Sequence, residues 1–186
     1  AQPVAGMGLA NDWSMLKKEP FRSLWPEEVD PDGNKWAHGR ANQVLFIWSD
    51  ANEDAHVQSG EVKLHHVSVR GVTVMADLSF CIAKLGERAA RFAPVNISES
   101  GVPSYDLSRA QTIVDGVYGP KSSGGCQVLA DDSSESVITL GVKPFSPYSV
   151  CGIADGKAVW SYPNPWAGLH ASHHAAKPDR PGQLIG

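Results

Sequence analysis

No run of about 18 apolar residues occurs in the chain, so the sequence offers no membrane-spanning helix. No block of like charges occurs, and the net charge of -4 argues against a nucleic-acid footprint, which needs clustered Lys and Arg. Cysteine is scarce. Cys81, Cys126 and Cys151 make three, an odd number that leaves at least one thiol unpaired within the chain. Cys126 and Cys151 can bridge if adjacent strands carry them. The plainer alternative is three buried, reduced thiols acting as small hydrophobes. Catalytic signatures are missing as well: there is no G-x-S-x-G elbow and no H-E-x-x-H. Ser122, Ser123, Gly124 and Gly125 form a flexible stretch without the Lys and glycine spacing of a phosphate loop.

What is present suits a β-rich unit. The 186 residues are 42% hydrophobic, enough for one core or for part of a larger one. Glycine (18) and proline (13) are frequent, and both punctuate short strands better than long helices. Residues 44–48 form a continuous apolar run of β-branched and aromatic side chains, the pattern of a buried strand. Residues 61–69 alternate imperfectly. Residues 72–92 fit two patterns. Val74, Leu78, Cys81, Leu85, Ala89 and Phe92 lie at helical spacing, whereas strands at 78–85 and 88–95 would turn at Gly86 and Glu87. The hairpin is preferred, because Leu78, Phe80 and Ile82 alternate and Gly86 falls where a turn needs it. Further strands are expected at 111–114, 126–129, 136–142, 149–153 and 157–162, with a hairpin turn at Ala154, Asp155 and Gly156.

These spacings suggest an all-β sandwich, barrel or propeller, and the expected fold is mostly β, of short antiparallel, propeller-blade-like strands with a calcium loop inserted and irregular termini. A faint echo between residues 101–106 and 156–161 points the same way. The chain divides into an irregular segment at 1–42, a β-rich domain at 43–162 and an irregular tail at 163–186. Pro20, Pro26 and Pro31 disfavour a long helix in the first of these.

The loop at 50–61 carries the sharpest chemical pattern. Asp50, Asn52 and Asp54 occupy its positions 1, 3 and 5. Side-chain oxygens at alternate positions converge when the chain curls around a point. His56, at position 7, would offer its main-chain carbonyl, Gln58 its amide oxygen, and Glu61, at position 12, both carboxylate oxygens. A hard cation such as calcium takes about six to eight oxygens of this kind. The pattern D-x-[DN]-x-[DN]-G-x5-E is met except at Ala55, where it has Gly. Val57 is apolar and would anchor the loop to the core.

Together Trp48, Asp50, Asn52, Asp54, Val57, Gln58, Glu61 and Val62 resemble an insertion found in large exported bacterial β-propeller proteins of the PQQ-like or NHL-like kind. Residues 91–95, 101–107 and 155–163 resemble propeller strand phrases. The resemblance spans about residues 43–186. It implies a multi-blade propeller of which this chain is one part, set among other blades or chains, and it carries over no catalytic residue. Extracytoplasmic placement, periplasmic or secreted, is expected. The start at Ala1, Gln2 and Pro3 fits signal-peptide cleavage, as would an edited terminus.

Two further groups are candidates. His170, His173 and His174 would share a helical face and could hold a transition metal, against the simpler reading of a solvated, proline-flanked tail. Trp160, Tyr162 and Trp166 could form a surface for carbohydrate or peptide, although tryptophan more often fills a core. Two functions therefore compete: a calcium-stabilised binding or scaffold segment, and a subunit of an exported enzyme using a transition metal or an aromatic cleft. An envelope β-barrel is disfavoured by the Lys and Arg scattered along the candidate strands.

Overall fold

The computed structural model describes residues 2–36, 42–119, 126–130, 135–147 and 149–163. Thirteen strands form three larger antiparallel sheets and one small hairpin, and no α-helix occurs among the described residues. No helix there is long and apolar enough to cross a membrane. The fold is mostly β, as the sequence predicts.

The first sheet runs in the order β1 (Ala5–Leu9), β2 (Val44–Ser49), β3 (Val62–His66). The continuous apolar run of β2 places it in the middle, buried on both faces. Leu45 and Ile47 face the second sheet; Val44 and Trp48 face the N-terminal segment. That segment is largely irregular, with 3-10 turns at Ala10–Asp12, Ser14–Lys17 and Phe21–Leu24. It is not idle, because Leu16, Phe21, Trp25 and Val29 cover the outer face of the sheet. The Trp25 Nε1–H donates to the Leu16 carbonyl at 2.7 Å. Strand β1 lies inside the stretch expected to be irregular. Its two glycines weaken the strand signal, and pairing with β2 supplies what propensity does not.

The second sheet follows the order β4 (Val69–Val74), β5 (Phe80–Leu85), β6 (Arg88–Phe92), β9 (Gln111–Asp115). The β5–β6 hairpin settles the ambiguity at 72–92. Phe80 and Ile82 enter the core shared with the first sheet, while Cys81 and Ala83 enter the core shared with the third. A helix would have gathered Cys81 and Leu85 on one face; the register shift between Ile82 and Leu85 sends Leu85 into the first core and leaves Cys81 in the other. A two-stranded hairpin of β7 (Asn96–Ile97) and β8 (Pro103–Ser104) lies between β6 and β9.

The third sheet follows the order β10 (Val128–Ala130), β11 (Ser136–Ile138), β12 (Ser149–Ala154), β13 (Lys157–Pro163). Asp155 (φ 48) and Gly156 (φ 73) join β12 to β13, the positive φ values that a two-residue turn of this hand requires. Residues 101–106 fall in the small hairpin and 156–161 in β13, so their echo is not a structural repeat. All three cysteines are free and buried, which excludes the Cys126–Cys151 bridge. The three sheets stack in chain order, each pair enclosing one apolar core.

Candidate calcium-binding loop

The loop begins where β2 ends. The Asp50 N–H donates to the Val4 carbonyl at 2.9 Å, which carries the sheet one residue beyond the strand and buries the side chain at 2% exposure. Asp50 Oδ2 accepts from the Ala55 N–H at 3.1 Å. Asp50 Oδ1 is buried and has no hydrogen-bond partner.

The other predicted side chains close on one another. Asp54 Oδ1 accepts from the His56 N–H at 2.8 Å, and Asn52 Oδ1 accepts from the Asp54 N–H at 3.3 Å. Asp54 Oδ2 accepts from Gln58 Nε2 at 2.5 Å and from Asn52 Nδ2 at 3.1 Å. Glu61 Oε1 accepts from the Asn52 N–H, and its Oε2 accepts from the Gln58 N–H and from Trp48 Nε1, each at 3.3 Å. Asn52, Asp54, Gln58 and Glu61 thus belong to one connected network, held at its far end by the 3-10 turn Ser59–Glu61, while Asp50 is tied to the same loop through the Ala55 N–H. His56 enters through its main chain, and its ring takes no part in these bonds. Val57 packs against the core beside Val44 and Trp48, as an anchor should.

Ala55 sits at φ 67, in the left-handed region that the pattern reserves for glycine. The curl is therefore made despite the Cβ. Among the described residues, no three His, Cys, Asp or Glu side chains stand at metal-holding spacing. The loop's own N–H groups engage its carboxylates instead, and the rest of the expected oxygen set is an Asn and a Gln amide and a main-chain carbonyl.

Two contacts escaped the sequence reading. Trp48 ties its indole N–H to Glu61 across the mouth of the loop, a link that the position of the Trp just before the loop could have suggested. Glu53 reaches the β7–β8 hairpin, where Oε1 accepts from Ser98 Oγ at 3.2 Å and from Ser100 Oγ. Nothing in local spacing signals a contact with residues so far along the chain.

The remaining candidates divide. His170, His173, His174 and Trp166 lie outside the described residues. Trp160 and Tyr162 share the outer face of β13, at 48% and 70% exposure, and Trp160 borders a groove of about 410 Å³. His65 and His66 point apart, as adjacent strand residues must. His66 Nδ1 lies 2.8 Å from Glu28 Oε1, while burial, aided by Lys63, pushes the His65 imidazole below its ordinary pKa. No family model, curated protein or solved structure matches the chain.

Proposed function

We propose that the chain is a calcium-stabilised, extracytoplasmic scaffold or binding segment of propeller-like construction. The observation that carries the reading is the Asp50 carboxylate, buried at the base of the loop with Oδ1 unpartnered. A buried anionic oxygen is costly unless a cation or a donor meets it. Calcium would meet it, with Asn52, Asp54, Gln58, Glu61 and the His56 carbonyl supplying further oxygens. The left-handed Ala55 supports the same curl.

Flanking strands rather than helices set this loop apart from a paired sensor. Calcium loops of extracellular modules bind at roughly 10⁻⁴–10⁻³ M, which favours a structural role where calcium is abundant. Two four-stranded antiparallel sheets stacked face to face are the arrangement of adjacent blades, and this supports the propeller reading.

The test is calcium titration of EDTA-treated protein, read by melting temperature. At ~10 mM calcium, 10 to 100 times that Kd range, binding adds about 1.4–2.7 kcal/mol. For a chain of this size the midpoint should rise by about 3–10 °C. An unchanged midpoint rejects the site, and stoichiometric zinc, copper or iron in the purified protein supports the enzyme reading instead.

A further inference from the structure

Glu53 stands apart from the other carboxylates of the loop. Asp50, Asp54 and Glu61 accept from N–H groups of the loop itself, whereas Glu53 reaches across the fold. Its Oε1 accepts from Ser98 Oγ at 3.2 Å and from Ser100 Oγ, and the two hydroxyls lie 2.8 Å from each other. The Glu53 N–H donates to the Asp50 carbonyl at 3.3 Å, so this side chain leaves directly from the first turn of the loop.

That turn is costly to form. Glu53 (φ 63) and Ala55 (φ 67) both lie in the left-handed region, one on each side of Asp54. A residue with a Cβ does not adopt it freely. The curl also gathers Asp50, Asp54 and Glu61, whose charges repel one another when no cation lies between them. A contact from outside that favours the curled form therefore favours the loaded loop.

The β7–β8 hairpin is a firm partner for such a contact. Ser98 Oγ accepts from the Val102 N–H at 3.1 Å, and the Ser98 N–H donates to the Val102 carbonyl at 3.0 Å, which closes the tip. Strand β8 runs directly into Tyr105, which is buried. The Tyr105 ring meets Phe80 edge-on at 5.0 Å, and its hydroxyl donates to the Leu78 carbonyl at 2.6 Å. The two serines are thus rooted beside the second sheet, while the loop belongs to the first.

We propose, resting on the calcium reading above, that Glu53 is a positioning residue rather than a ligand. Its grip on Ser98 and Ser100 holds the curl that presents Asp50, Asp54 and Glu61 to the cation, and calcium in turn steadies the β7–β8 hairpin. Linkage makes the two effects equal: the factor by which the contact tightens calcium binding is the factor by which calcium tightens the contact. Because the contact is exposed, that factor is modest, about threefold.

A double-mutant cycle tests the proposal, with Glu53→Ala on one arm and Ser98→Ala plus Ser100→Ala on the other. The calcium Kd of each of the four EDTA-treated proteins is read from amide NMR shifts during titration. Losing the hydroxyls leaves every loop charge in place. It should raise the Kd about threefold when Glu53 is present and leave it unchanged in the Glu53→Ala background. Any effect of the lost Val102 bond appears in both backgrounds and cancels. In wild-type protein, exchange of the Val102 N–H should slow by the same factor on adding ~10 mM calcium, and in Glu53→Ala it should not. Wild-type protein that binds calcium but shows an equal shift, or none, in both backgrounds overturns the proposal and leaves the calcium reading standing. A wild type that takes up no calcium at ~10 mM overturns both.

Discussion

Asp50 carries two opposing effects that one substitution separates. With Oδ1 unpartnered at 2% exposure, its charge destabilises the metal-free protein, and on the proposed calcium reading the same oxygen would be a ligand of the loaded one. Asp50→Asn keeps the shape and removes the charge. In EDTA the variant should melt at or above the wild-type midpoint; in ~10 mM calcium, saturating on the affinity scale of such modules, it should melt below it. Thermal melts in the two buffers check the crossing, and equal displacement in both would mean that Asp50 is not a ligand. Ala55 makes a different prediction. Its φ of 67 costs about 1–2 kcal/mol for a residue with a Cβ, partly offset because glycine has more freedom to lose on folding. Ala55→Gly should therefore stabilise the protein by about 1 kcal/mol, with or without calcium, as measured by urea unfolding. The clustering of Asn52, Asp54, Gln58 and Glu61 was legible because closely spaced polar side chains in a curled loop bond one another and the local N–H groups. The Glu53 contact was not, because its hydroxyl partners come from a hairpin across the fold.

Turns and strands obey rules of their own, and the β4–β5 connection shows one that depends on pH. Asp77 Oδ1 accepts from Ser79 Oγ at 2.6 Å and from the Ser79 N–H at 3.0 Å, and Oδ2 accepts from Arg91 Nη2 at 2.6 Å. The Ser79 bonds first, then Arg91, hold the carboxyl at about 2 against an ordinary 3.8. A carboxyl depressed on folding contributes stability above its unfolded value, and that stability is lost as pH falls through its folded value. The wild type should thus exceed Asp77→Asn by a constant margin above about pH 5, a margin that closes between about pH 4 and 2. Because Asp77 is 44% exposed, the margin should be small and should shrink in salt; a margin that stays flat down to pH 2 would exclude the carboxylate as its source. Strands of this kind were legible wherever local chemistry agreed with tertiary need. Asp155 and Gly156 signalled their turn, and the alternation of Phe80 and Ile82 outweighed a rival helical spacing. Strand β1 was not legible, since Gly6 and Gly8 give no strand signal and only β2 recruits them.

At the scale of the whole fold, sheets stacked in sequence connect the proposed calcium loop to a core it never touches. Trp48 and Val57 join the loop to the N-terminal core, and Leu45 and Ile47 carry the first sheet onto the second. Cys81 and Cys151 lie at 0% exposure between the second and third sheets, so their thiols become reactive only when that interface opens. If the stack opens as one cooperative unit, calcium bound at the far end must stabilise this interface as well, by linkage. Labelling of the two thiols in mild urea, with opening and closing fast relative to labelling, should then slow by about 10- to 100-fold at ~10 mM calcium, the factor set by ligand concentration over Kd. Labelling that ignores calcium while the first sheet's amide protons gain protection would show that the sheets open separately. In that case the loop steadies only the sheet it closes, and the order of stacking would set where the influence of a bound calcium ends.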